Sequence, residues 1–350
     1  MRKNNLSEGG ATLNRNSPNR GDWRRVLPGI IVSLVSLIIV FYFADLEKVR
    51  QALLLADTRL IVLAGGLMLS WLFVRGLLWR TLLKNAASYR DVFWTINEGY
   101  LINNFLPFRL GEVARAFLLS KKSELSFWEI LSTIFIERIM DITYAVGSFL
   151  LLLPFVVGAR GQGAYAVLMG GVMLLVFLIL FLLARNRQWA LEVNQKLGQR
   201  LPLIRRLTDR VVPSILDGLA ILTDGRLFLW ALIWASLDWA IAILQYHALV
   251  RAYVSQAPLL WGSFTLMVAA LGIAAPSSPG GVGVFEAAIV GALALFGVDS
   301  SVALAAAITA HLLQYLVTGV LGIYALVQDG ESLTGLYRRI RGIQPEVKSG

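Results

Sequence analysis

Asn103-Asn104-Phe105-Leu106-Pro107-Phe108-Arg109-Leu110-Gly111-Glu112-Val113-Ala114-Arg115 interrupts a long apolar region. A second interruption, Pro276-Ser277-Ser278-Pro279-Gly280-Gly281-Val282-Gly283-Val284-Phe285-Glu286, lies deep in another apolar stretch. Each sets proline, glycine and a carboxylate where a simple membrane-spanning helix would use leucine. Hydrocarbon offers no water to a free backbone group or a charge, so interruptions of this kind have to be housed by the protein itself.

The flanks of the first interruption constrain its path. Arg80–Arg90 and Lys121-Lys122 are both basic. A single crossing between them would leave one basic flank on the outer face, against the usual enrichment of Lys and Arg in cytoplasmic loops. A hairpin resolves this: Asp91–Leu106 covers roughly 24 Å at helical rise, Pro107–Gly111 turns, and Glu112–Ser120 returns. Pro258–Ala275, Pro276–Gly283 and Val284–Val298 predict a second hairpin, entering from the opposite face.

The chain as a whole is 57% hydrophobic and 15% charged, with mean hydropathy +0.67. That composition marks an integral membrane protein rather than a soluble domain. Apolar runs at Val26–Phe43, Leu60–Trp79, Phe127–Val157, Ala164–Ala184, Leu227–Val250 and Val302–Val327 approach or exceed the roughly 20 residues a spanning helix needs. They lack the alternation of a lipid-facing barrel strand. The expected fold is therefore an all-α polytopic membrane helix bundle of about six full spans plus two re-entrant helical hairpins, related as an inverted repeat. Pro107/Gly111/Glu112 and Pro279/Gly283/Glu286 share a spacing, which supports the repeat. The alternative is eight to ten full spans.

Residues 1–25 read as a flexible cytoplasmic tail, 26–328 as the membrane domain and 329–350 as a second cytoplasmic tail. Ala44–Thr58 reads as a loop of mixed charge. Within the membrane domain, 185–225 is basic, and Val193, Leu197, Leu201, Ile204, Val211, Ile215 and Leu219 recur at nearly helical spacing, broken by Pro202 and Pro213. That pattern suits either a headgroup-layer helix or packing against the bundle. Both termini are expected inside, in the inner (plasma) membrane.

The net charge of +10 gathers beside span ends and with no nucleic-acid-binding motif, so no nucleic acid is expected as a partner. With no cysteine and only His247 and His311, which lack ligand spacing, no metal or other cofactor is expected. No catalytic constellation is convincing.

In the first interruption Arg109 supplies a donor fork, and the helix restarting at Gly111 would aim its positive end at the turn; an anionic headgroup suits both. Glu112 and Arg115 are spaced to pair locally. In the second, the glycine-rich turn at Pro279, Gly280, Gly281 and Gly283 opens another helix; it cradles a headgroup or only packs helices closely. Glu137, Arg138 and Asp141 lie inside a long apolar helix, where they would line a polar path, relay protons or lock helices together. Glu98, with Asn103 and Asn104, is assigned to the first hairpin's site. His311, near Gln314 and Tyr315, reads as a satisfied structural histidine, and most tryptophans, Trp79 included, as interfacial anchors.

These three signatures, in this order and at these separations, resemble the lysylphosphatidylglycerol synthase transmembrane family over roughly Leu27 to Gln328. The resemblance implies a membrane domain that moves aminoacylated or otherwise modified lipids between leaflets. It also implies a headgroup site at Asn104, Pro107, Arg109, Gly111, Glu112, Arg115, Glu137, Arg138, Asp141, Pro279, Gly280, Gly281, Gly283 and Glu286, to which the residue reading adds Asn103. Synthase members carry a large soluble domain that this chain lacks, so the synthase activity is not expected and the chain is not expected to be an enzyme. The leading expectation is flippase-like lipid translocation in a bacterial inner membrane, with a phospholipid or modified lipid as the bound partner. A membrane-embedded transferase and an accessory subunit of a lipid-synthesis enzyme are the rivals, and a homo-oligomer is a further candidate state.

Overall fold

A computed structural model describes residues 20–106, 109–158, 162–200, 224–274 and 278–331. Every regular element among them is helical. In chain order these are α1 (Arg20–Phe43), α2 (Leu46–Leu55), α3 (Thr58–Leu82), α4 (Tyr89–Phe105), α5 (Leu110–Lys122), α6 (Phe127–Val156), α7 (Gln162–Arg185), α8 (Arg187–Arg200), α9 (Gly225–Tyr253), α10 (Leu259–Ala274), a 3-10 turn (Pro279–Gly281), α11 (Val284–Ala294) and α12 (Ser300–Gln328). Helix starts follow local chemistry, since an N-cap oxygen satisfies amides that have no partner within the helix. At the start of α6, Ser126 Oγ accepts from Glu129 N at 3.2 Å and Ser126 N donates to Glu129 Oε2 at 2.7 Å. This is a reciprocal capping box.

Among the described residues, α3, α6, α9 and α12 are long and apolar enough to cross a membrane, and α1 with α2 makes a fifth if that pair, bent by 84°, is one span. The sixth expected run, Ala164–Ala184, falls inside α7. Ala44–Thr58 is not the loop expected. Asp45 Oδ1 accepts from Glu47 N at 2.9 Å, Arg50 pairs with Glu47 at 2.9 Å, and Val49 is buried with Val40, Leu304 and Ala305. Mixed charge concealed this helix because three of its polar residues bond to one another and leave one apolar face for α12. Residues 1–19, 201–223 and 332–350 lie outside the description, and so do the tail assignments that rest on them and most of the basic amphipathic segment.

The distribution of polarity is inverted relative to a soluble protein. Arg75, Glu98, Arg115, Glu137, Asp238 and His311 are buried, whereas Leu316 is 63% exposed and Leu63, Ile142, Leu229 and Val320 are exposed with it. Charged groups inside and leucines outside suit an apolar solvent.

Both interruptions form antiparallel helical hairpins, α4/α5 and α10/α11. Each has its own core against the paired helices α3 and α9: one around Trp79, Ile96, Leu119 and Ile130, the other around Leu249, Phe285, Ile289 and Ala303. Helix α12 relates the two hairpins. Its first residues lie at the open end of the second, where Asp299 caps α12 just after α11 ends. Its last residues lie at the open end of the first, where Lys122 pairs with Asp329. Gly322 lets α4 approach closely, since a Cβ there would sit 2.6 Å from Asn97 O. The hairpins thus run inward from opposite ends of α12, and their tips meet beside its middle.

Candidate functional site

The first tip is built from short-range constraints. Asn103 Oδ1 accepts from Gly111 N at 2.8 Å, capping α5 from the preceding helix. Arg109 takes the left-handed conformation, φ 51°, immediately before α5. Gly111 lies against Gly99, where a Cβ would fall 2.0 Å from the Gly99 carbonyl oxygen. Only glycine permits that approach. Pro107 lies outside the described residues.

At the second tip Gly281 N donates to Ser278 O at 2.9 Å, and Gly280, Gly281 and Gly283 all have positive φ. Glu286 caps the helix that follows through Gly283 N, at 2.6 Å. The anion seat at that helix start is therefore taken by the chain's own carboxylate. Ser33 of α1 accepts from Ser278 N at 2.9 Å, and a Cβ on Gly283 would lie 2.3 Å from Ser33 O. The apolar context of α1 gave no sign of this contact.

Side chains join the two tips. Arg109 Nη2 donates to the Ile273 carbonyl, at the end of α10, at 3.2 Å, and Asn104 Nδ2 donates to Thr318 Oγ1 of α12 at 2.9 Å. A double-mutant cycle on Asn104→Ala and Thr318→Val should give a coupling of about 0.6 kcal/mol and no more than about 1.7, as for other interhelical hydrogen bonds within membranes. Thermal unfolding in detergent measures it; zero coupling would show that the bond does not hold the tip.

Behind the first tip lies an ionic lattice whose hub the sequence reading missed. Arg75 of α3 donates from Nη1 to Asp141 Oδ1 at 2.9 Å and to Asp238 Oδ2 at 3.1 Å, and from Nη2 to Asp141 Oδ2 at 2.5 Å. Its Nε is 3.3 Å from Glu137 Oε1, but that contact lacks hydrogen-bond geometry, since Nε has no hydrogen-bond partner. Arg115 reaches Glu137 Oε2 at 2.8 Å with its guanidinium 4.0 Å from the Trp79 ring centre. Arg138 bridges Glu112 and Asp141, both at 3.1 Å. Four guanidiniums, of Arg75, Arg109, Arg115 and Arg138, thereby face four carboxylates, of Glu112, Glu137, Asp141 and Asp238. Arg75 was legible only as one charge in an apolar run, four residues after Trp71 and four before Trp79.

Several expectations are corrected here. Glu112 does not pair with Arg115; it meets Arg138 and, at 3.6 Å, Arg109, because Arg115 faces α6 instead. Glu98 does not join the tip. It is fully buried beside Lys122, at 3.4 Å, at the open end of the hairpin. Trp79 is a buried residue, its Nε1 bound to Thr133 Oγ1 at 3.1 Å, and not an interfacial anchor. His311, by contrast, is satisfied as expected, with both ring nitrogens engaged, by Glu286 at 2.5 Å and the Gly280 carbonyl at 3.0 Å.

Arg109 differs from the other lattice arginines in its exposure. Its side chain is 41% exposed, against 24% for Arg138, 5% for Arg75 and 3% for Arg115. Its two protein partners, a carbonyl and a carboxylate at the edge of ion-pair distance, are weaker than a bidentate oxyanion would be.

Comparison with known proteins places these features in a group. Residues 26–322 match the family model described as the lysylphosphatidylglycerol synthase TM region. A UPF0104 membrane protein of Methanocaldococcus jannaschii is 28% identical over 216 residues, 61% of this chain and 88% of that protein. One from Methanothermobacter thermautotrophicus is 21% identical over 316 residues, covering 86% and 92% respectively. One from Pyrococcus horikoshii is 22% identical over 192 residues, covering 53% and 56%. No solved structure matches significantly.

Proposed function

The chain belongs to the lysylphosphatidylglycerol synthase TM-region family, and on that premise we propose that it moves a phospholipid or modified lipid between leaflets, with the headgroup held where its two hairpin tips meet. The observation that carries this reading is the position of the tips. Helix α12 is about 43 Å long at helical rise, and its contacts to the tips, His311 and Thr318, lie about 16 and 27 Å along it. Tips at that depth stand near the middle of a bilayer, where an interrupted backbone is tolerated only beside protein or a polar cavity. Both hairpins are then re-entrant, from opposite faces, with the basic termini cytoplasmic in a plasma membrane.

A headgroup phosphate arriving at the tips exchanges places with the Ile273 carbonyl on the Arg109 fork, while Glu112 stays held by Arg138. Arg75, Arg115 and Arg138 stay engaged by the four carboxylates and do not compete for the phosphate. Acyl chains remain in the surrounding lipid, so only the headgroup needs shelter from hydrocarbon. The deeply buried Glu137 holds the lattice in shape around Arg109.

Arg109→Ala should lower leaflet exchange of fluorescent phospholipid in proteoliposomes by roughly tenfold or more, the equivalent of one charge-assisted hydrogen bond in the transition state. Arg109→Lys should recover part of the rate, because a point charge replaces the fork. Wild-type exchange in Arg109→Ala would remove the residue from the mechanism. Absence of exchange in the unaltered protein, with a lipid-modifying enzyme co-purifying, would favour the accessory role.

A further inference from the structure

The second tip holds a countable proton. The Gly280 carbonyl can only accept a hydrogen bond, so His311 Nε2, 3.0 Å away, carries hydrogen. On the other side of the ring Nδ1 faces Glu286 Oε1 at 2.5 Å. That contact also needs a hydrogen between its atoms. The second carboxylate oxygen, Oε2, is occupied by the Gly283 amide at 2.6 Å. A neutral imidazole beside an ionised carboxylate has one hydrogen too few for this arrangement. The pair therefore exists as imidazolium with carboxylate, or as imidazole with carboxylic acid.

The surroundings suit a held charge. The side chains of His311 and Glu286 are 6% and 9% exposed, and the imidazole lies between Phe285 and Tyr315, with ring centres 4.7 and 4.5 Å away. Among the described residues, the titratable groups that touch it are Glu286 from α11 and Tyr315 from its own helix; Tyr253 of α9 meets Thr309 two residues earlier on α12, and Arg109 of the facing tip is turned to the Ile273 carbonyl and Glu112. On its other sides the turn meets Ser33 and Leu37 of α1, both neutral, and the Asn104 backbone of α4.

We propose that His311 and Glu286 form a proton-binding site whose occupancy fastens the second tip to α12. Removal of the proton from the pair leaves either Nδ1 and Glu286 Oε1 facing each other as lone pairs, or Nε2 and the Gly280 carbonyl doing so. In both cases one of the two fastenings opens and the glycine-rich turn is left held to α12 by the other alone. If the tips carry a lipid headgroup, this proton is the coupling ion for its movement; that second statement rests on the translocation reading, whereas the proton site rests on the geometry alone.

The chain contains only two histidines, which makes the test direct. Full-length protein labelled with 15N-histidine is reconstituted in liposomes and its imidazole resonances are recorded at about pH 7.5, where an ordinary histidine is only about one part in ten protonated. His311→Gln assigns the two sets of signals, and His247→Gln does so if the first variant fails to fold. A hydrogen on both His311 nitrogens, reverting to the neutral ring in Glu286→Gln, whose amide donates to Nδ1, supports the site. A neutral ring with a carboxylic-acid infrared band that Glu286→Gln removes supports the site equally. A neutral ring without that band overturns it. Exchange of phospholipid that stays constant between about pH 6 and about pH 9 would overturn the coupling. Failure of the unaltered protein to exchange any lipid would instead count against the translocation reading and leave the proton count standing.

Discussion

Arg75→Ala is expected to prevent stable accumulation of the protein, with a loss of about 3–5 kcal/mol, the usual consequence of stripping one partner from a buried ionic group. The size follows from what is left behind. Asp141 and Asp238 lose their only shared donor, and Asp238 is 2% exposed, with its other oxygen already unpartnered. Glu137 retains Arg115 and Arg138. The penalty thus concentrates on Asp238, which among the described residues has no guanidinium but Arg75, while Asp141 retains Arg138. Thermal unfolding in detergent and yield from membranes would both read it. Asp238→Asn in the Arg75→Ala background should recover part of the loss by removing one orphaned charge. A variant as stable as the parent would show that the lattice is wetted and that Arg75 is not its hub.

Gly111→Ala should be comparably disruptive by a different route. The added methyl carbon would lie 2.0 Å from the Gly99 carbonyl oxygen and 2.6 Å from Asn103 Oδ1, and neither can retreat independently. The first is backbone in the middle of α4, and the second is the cap of α5. Relief requires the two helices of the hairpin to separate, which breaks the Asn103 cap, worth about 1 kcal/mol, and draws Arg115 away from Glu137. Overpacking of this kind adds about 1–3 kcal/mol. We expect lipid exchange to be lost even in protein that folds, because Arg109 is displaced with the tip. Gly66→Ala, which meets nothing within 4 Å, is the matched control. Equal exchange in the two variants would show that the close approach of α4 and α5 is dispensable.

The pattern of what could be read beforehand follows from the range of each interaction. Pro107 with Gly111, and Pro279 with Gly283, announced broken helices because proline and glycine act on their own backbone. Arg138 and Asp141 do pair, because three residues along a helix place side chains together. The same rule failed for Glu112 and Arg115: local spacing permits that pair, but Arg115 has a stronger partner in Glu137 across the helix packing. Ser33 and Thr318 gave no signal, since a single hydroxyl in an apolar run looks the same whether it bonds its own helix or a distant turn. His311 was expected to be satisfied, and it is, but which groups satisfy it depends on two segments more than 20 residues away in sequence.

Composition and the length of its apolar runs were sufficient to make this chain a helical membrane protein, because transfer of a side chain into hydrocarbon depends on that side chain and not on its neighbours. Its two breaks were equally local. The tertiary structure alone decided that the breaks come together beside α12, that Arg75 balances three carboxylates from two other helices, and that Arg109 is the most exposed of the lattice arginines. Those outcomes belong to pairs and triplets of residues far apart in the chain, whose energies exist only once the helices have packed.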